Sequence, residues 1–293
     1  MIARSPIDGS PVDGSPVDTD PTGRGAVAWE EEASSGAWSP AMIPAADRLF
    51  WLEPAGLRPT SGTSPYACTS WVNSWADGSG DFTVLTGTPN IVDPSAVHFT
   101  GSRRVGLVEA DTDAFLAGGA ASIYKPFHDG TGVTLAVAFL SIDPDTTQMI
   151  CATDNTTATN HGFFLRFDGG ANERCTITIH DGSGTALISI VTATDTFLSG
   201  AANVVVVELK DRTPGVGGTG TMDLGVWANS VIVAAAELPA SPLPSTTNPQ
   251  AAFTLGRRGG QASEWFEGNL YHVIGARGTY GAQLAAYMER LRV

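Results

Sequence analysis

Two carboxylates held roughly 5 Å apart, one as nucleophile and one as acid/base, are what a retaining glycosidase requires, so the acidic clusters come first. Glu30, Glu31 and Glu32 sit in a Pro/Gly/Asp-rich N-terminal stretch, and Glu264 and Glu267 stand three apart. That spacing sends two side chains to opposite faces of a strand, so both groups read as solvated loop charges. No Gly-x-Ser-x-Gly occurs, and His98, His128, His161, His180 and His272 stand singly, with no partner at nucleophile–base spacing. His98, His180 and His272 lie among apolar strand residues and read as core-facing or half-exposed, hydrogen-bonded imidazoles. The glycine run at 215–220 lacks a Gly-Lys-Ser/Thr ending and lies between strands, not before a helix, so it is no phosphate loop. The expectation is a protein that is not an enzyme.

Binding chemistry has more material. Asp143, Asp145, Asp154 and Asn155 fall in loops around residues 142–161 and offer the oxygen ligands calcium prefers, but at no defined spacing. No cofactor is expected, calcium being the single ion those loops would suit. Sugar recognition wants an aromatic platform beside planar polar groups, and Trp227, Arg257 and Trp265, with Arg258 and Tyr271, gather near one another in the chain. The balance of 16 basic and 30 acidic residues gives −14, with no basic cluster, which argues against nucleic acid or an anionic membrane as partner. Cys68, Cys151 and Cys175 are odd in number and widely spaced, without CxxC or a Cys/His pair, so neither a disulfide framework nor zinc is expected. The N-terminus lacks the apolar run of a secretory signal, and nothing approaches the roughly 20 apolar residues of a membrane span. Folding in a reducing cytoplasm follows as the expectation.

The elements that must position these residues are strands. Hydrophobic residues make up 42% of 293 and charged residues only 16%, while 34 glycines supply turns. One large all-β domain with an extension fits better than two small domains. Strands are expected at 49–52, 122–127, 133–142, 148–152, 162–168, 175–180, 186–192, 204–210, 222–228 and 231–236, at the spacing of a large sandwich. Alternation puts Phe163, Leu165 and Phe167 on the core face and Phe164, Arg166 and Asp168 on the other. Residues 181–184 and Asn229-Ser230 read as hairpin turns. Leu284, Tyr287 or Met288, and Leu291 recur at helical spacing, predicting a short terminal helix. Residues 5–19, SPIDG-SPVDG-SPVDT, repeat a unit too poor in apolar residues to build a core. Residues 1–46 therefore read as an extended arm that docks into an assembly, with Ile7, Val12, Val17, Trp29 and Trp38 as anchors, and 47–293 as the domain.

Near the C-terminus Phe253, Leu255, Gly256, Phe266, Gly268, Leu270, Val273 and Ile274 form an apolar strand, a polar loop and an aromatic-x-Gly-x-Leu strand. Here the chain resembles the concanavalin A-like, laminin-G-like jelly rolls, antiparallel two-sheet sandwiches. Earlier, Trp75, Asp77, Ser79 and Gly80 match a Trp-x-Asp-x-Ser-Gly opening found in versions from phage and virus proteins. Relatives with glucanase activity carry Glu-x-Asp-x-x-Glu on one strand, a string this chain lacks. The resemblance implies a virion structural protein, a capsid decoration, minor capsid or fibre component in many copies, with capsid or tail subunits as partners. The alternative it implies is a glycan-binding adhesin.

Overall fold

The computed structural model describes residues 37–60, 66–92, 99, 104–108, 111–143, 146–154, 161–182, 186–211, 224–236, 247–259 and 264–292. The strands of one sheet, in spatial order, are β11 (Ala186–Val191), β10 (Arg174–Asp181), β9 (His161–Asp168), β8 (Thr147–Ala152), β15 (Thr254–Leu255), β6 (Ala114–Ala117), β3 (Phe82–Thr86) and β2 (Tyr66–Asn73). The other holds β4 (Asn90–Val92), β5 (Arg104–Leu107), β16 (Gly268–Arg277), β7 (Thr131–Ser141), β12 (Asn203–Asp211), β13 (Leu224–Ala228) and β14 (Val231–Ala236). Hydrogen bonding passes from one to the other through β2, which pairs with β4 at Tyr66 and with β3 at Trp71. β1 (Arg48–Pro59) lies against both β16 and β2. The architecture is an antiparallel β-sandwich, as the sequence pattern predicts.

Alternation builds the core. Phe163, Leu165 and Phe167 of β9 face inward, and Phe139 of β7 meets Phe167 across the sandwich at 5.9 Å between ring centroids. Phe50, on β1, packs on the rings of Phe82, Phe127 and Phe253 at 4.8–6.5 Å. In the middle of the second sheet β7 and β12 are buried on both faces, which is why they read as unbroken apolar runs. Ala136, Ala138, Val204 and Val206 point outward beneath the helix α1 (Gly281–Leu291), against its Leu284, Ala285 and Met288. Small alanines on that face let the helix approach closely. Buried Glu208 accepts the Gly281 amide at 2.6 Å, satisfying an orphan donor where the helix dipole favours negative charge.

Several expectations need correction. Residues 122–127 are not a strand: Ala121–Phe127 forms a 3-10 turn containing Pro126, with Tyr124 and Phe127 plugged into the core. Proline removes a ladder donor, and the turn is what aims both rings inward. The compact unit begins at Trp38 rather than at residue 47. Trp38 stands edge-on to Tyr287 at 6.3 Å, and Ile43 is buried, so the last residues assigned to the arm pack on the sandwich. Ile7, Val12, Val17 and Trp29 lie outside the described residues, as does His98. Asn229 and Ser230 both take positive φ, the backbone of a type I′ hairpin turn built without the usual glycine.

The three thiols are free and buried; burial pushes Cys68 up to about 11 and Cys151 and Cys175 well above the usual thiol value. His128 is buried too. Its Nε2 donates to the Thr247 carbonyl at 2.8 Å, while Nδ1 has no hydrogen-bond partner. Burial holds its pKa below the usual 6.5, outweighing the Thr247 bond and Asp129, which favour the cation; His161 and Lys125 push the same way as burial. The unfolded imidazole takes a proton near pH 6.5 and the folded one only below that, so stability falls as pH drops through this window. Urea midpoints at pH 8 and pH 5 are expected to differ less in His128→Asn than in the wild type. Equal drops in the two proteins would remove His128 as the cause.

Candidate functional site

The outward face of β8, β9 and β10 carries a continuous patch of charged and aromatic side chains. Register places His180 opposite Gly162, Thr178 opposite Phe164 and Thr176 opposite Arg166, so alternate residues of two strands share this face. Met149, Ala152 and Phe164 form a small apolar floor. Asp154, just past β8, is fully buried and accepts from Arg258 Nε at 2.8 Å and Nη2 at 2.6 Å, a bidentate fork, with His180 Nδ1 at 3.1 Å. Gly162 makes this possible: at its φ of +151°, an added Cβ would lie 2.7–2.9 Å from Asp154 atoms. Anchored this way, the Arg258 guanidinium lies 4.8 Å from the Phe164 ring centroid, and the His180 ring meets Phe164 edge-on at 5.8 Å.

A second carboxylate organises the other end. Asp168 accepts the Thr176 hydroxyl at 2.7 Å and stands 3.5 Å from Arg174 Nε. Its Oδ1 is 2.8 Å from Arg166 Nε, yet that N–H is not aimed at it, so the contact is an ion pair rather than a hydrogen bond. Arg166 also reaches Glu264 at 3.9 Å and approaches Phe164 at 5.9 Å. Next to Glu264, Trp265 carries the Arg257 guanidinium over its indole at 4.7 Å. Because Trp265 follows Glu264 directly, the Arg257–Trp265 pair adjoins the group of Arg166, Phe164, Arg258 and His180.

Of the residues expected to contact sugar, Arg257 and Trp265 come together here. Trp227 does not join them. It lies in β13 under α1, where the helix approaches so closely that a Cβ on Gly281 would fall 2.6 Å from its ring. Both indoles are largely buried, 9% exposed for Trp227 and 7% for Trp265, so neither offers a bare stacking face. The accessible groups are instead guanidinium and imidazole edges. No motif marks Asp154, Phe164, Arg166, Arg174 or His180; the one legible signal was the outward alternation of Phe164, Arg166 and Asp168.

Asp154, weighed above as a calcium ligand, is committed to Arg258 and His180. The Asp143 side chain accepts from Thr146 at 2.7 Å, and Asp145 and Asn155 lie outside the described residues. Among the described residues, no group of three or more His, Cys, Asp or Glu converges to hold a metal, and no helix is long and apolar enough to cross a membrane. Asp154 orients the His180 imidazole as an acid/base pair would require, but no described hydroxyl or thiol hydrogen-bonds to its Nε2. The recess lined by His128, Gly130, Ile179, Leu187 and Leu209 is too tight to admit water and lies apart from the patch.

Neither protein-family models nor curated proteins give a match. Solved structures do. The binding domain of botulinum neurotoxin serotype D aligns with TM-score 0.53 at 9% identity, over 85% of this chain and 52% of that one. Botulinum neurotoxin type C, whose cell entry is described as dependent on interaction with two ganglioside molecules, aligns with TM-score 0.50 at 9% identity, over 87% and 53%. The CBM40 module of the Ruminococcus gnavus IT-sialidase, bound to α2,3 sialyllactose, gives TM-score 0.45 at 14% identity, over 68% and 95%. The chain spans about half the length of the toxin structures, 52–53%. At 9% identity the likeness to the two toxin structures shows a shared β-sandwich fold.

Proposed function

We propose that this chain is a non-catalytic glycan-binding β-sandwich module, with the outward face of β8, β9 and β10 as its sugar-contacting surface. The observation that carries this reading is the asymmetry of the two outer faces. α1 covers the middle of the second sheet, over β7, β12 and β13, while the first presents half-buried, rigidly held arginines and a histidine. Groups locked by buried carboxylates lose little freedom when a ligand arrives, which favours recognition of hydroxyl-rich molecules by hydrogen bonding. The fold shared with toxin binding domains, one of them from a toxin described as depending on gangliosides, supports the same ligand class. Residues 1–37, which precede the compact unit, serve in this reading as the tether to a larger assembly, with a virus particle as the carrier.

The test is a glycan array probed with the full chain, alongside His180→Ala and a distant control, Val231→Ser, whose side chain is 63% exposed on β14. Selective glycan binding is expected, weakened about tenfold by His180→Ala, the factor that 1.4 kcal/mol represents, and unchanged in the control. A folded wild type that binds nothing on the array would sink the proposal.

A further inference from the structure

The patch has an uneven charge balance. Its cations are Arg166, Arg174, Arg257 and Arg258, and its acids are Asp154, Asp168 and Glu264, leaving an excess of one positive charge in a chain of net charge −14. The ion pairs assign each acid. Asp154 holds Arg258, Asp168 holds Arg166 and Arg174, and Glu264 adds to Arg166. Arg257 is left over. Among the described residues it has no carboxylate partner; its Nε donates to the Arg258 carbonyl at 3.3 Å, and its guanidinium is fixed by the Trp265 ring. The segments that follow Asp154 and Gly259 in sequence, 155–160 (NTTATN) and 260–263 (GQAS), contain no acid.

A guanidinium seated over an indole, with no hydrogen bond from its terminal N–H groups among the described residues, has the planar fork that pairs with a carboxylate or sulfate through two parallel hydrogen bonds. Stacking removes the rotamer freedom that an exposed arginine would lose on binding. We infer that the ligand of this face is an acidic sugar and that Arg257 is the residue that meets its anionic group. This inference rests on the glycan-binding reading. Carboxylate-bearing and sulfate-bearing sugars share the chemistry, and the experiment separates them.

The full chain, Arg257→Lys and Arg257→Met are applied to an array sorted into neutral, carboxylate-bearing and sulfate-bearing glycans, at low and high salt. Methionine keeps an apolar stem over Trp265 without the charge, and thermal unfolding confirms that each variant is folded. Wild-type signal is expected mainly on acidic glycans and should weaken with salt. Arg257→Met should lose about tenfold or more, and Arg257→Lys should fall between, because lysine keeps the charge but loses the fork. Signal confined to one acidic class names the anion. Signal on neutral glycans that Arg257→Met leaves unchanged overturns the inference while the glycan module stands. A blank array with folded protein overturns both.

Discussion

Asp154→Ala is expected to destabilise the protein by about 3–5 kcal/mol and to lower sugar affinity at least tenfold. The carboxylate is fully buried and serves Arg258 through two hydrogen bonds and His180 through one contact to Nδ1 at 3.1 Å. Removing it leaves the Arg258 head, whose side chain is 13% exposed, as an uncompensated cation above Phe164. Breaking one half of such a pair costs more than the pair contributes, because the remaining charge stays desolvated. The stability loss should therefore be largely reversed in Asp154→Leu/Arg258→Met, in which both charges go and apolar volume returns. Sugar affinity should not recover, since the ordered guanidinium is gone. Urea denaturation of the single and double variants, with binding measured on each folded protein, checks both parts. A single variant within about 1 kcal/mol of the wild type would show that Asp154 anchors nothing.

The contrast between Asp154 and Arg257 shows how much of this surface the sequence discloses. Arg257 and Trp265 lie eight positions apart and one loop brings them together, so chain proximity alone groups them. Asp154 and Arg258 are 104 residues apart and meet because β15 pairs with β8, with Thr254 opposite Ala152. Strand alternation reveals which face Phe164 takes but not which strand will lie beside it; that depends on a register no local pattern encodes. Trp227 fails for a related reason. Its place in an apolar strand is legible, yet α1 starts more than fifty residues later, and nothing near Trp227 shows that a helix will cover it. The 3-10 turn over Ala121–Phe127 had a local signal, Pro126, which the apolar alternation around it obscured. The core, by contrast, was readable in β9 from alternating apolar residues and in β7 and β12 from unbroken apolar runs.

Gly268 joins the readable pattern to a measurable consequence. It fills the aromatic-x-Gly position as the first residue of β16, and its neighbours explain why no side chain is tolerated. It pairs with Leu107 of β5 on one side and Ser141 of β7 on the other, at a φ of +154°. An added Cβ would lie 2.1 Å from the Leu140 carbonyl oxygen and 3.0 Å from the Ser141 Cα. These are backbone atoms of a central strand, so relief requires β16 and β7 to separate where their ladder begins. Gly268→Ala thus combines a strained backbone with overpacking, and the expected loss is about 3–5 kcal/mol, enough to leave the chain largely unfolded if its total stability is of ordinary size. Gly200→Ala is the matched control. Its φ of +70° is also unfavourable for alanine, but nothing lies within 4 Å of the added Cβ, so only the conformational cost of about 1 kcal/mol should appear. Similar losses in the two variants would mean that φ alone sets the requirement; a much larger loss at Gly268 would locate it in the β16–β7 contact that closes the sandwich.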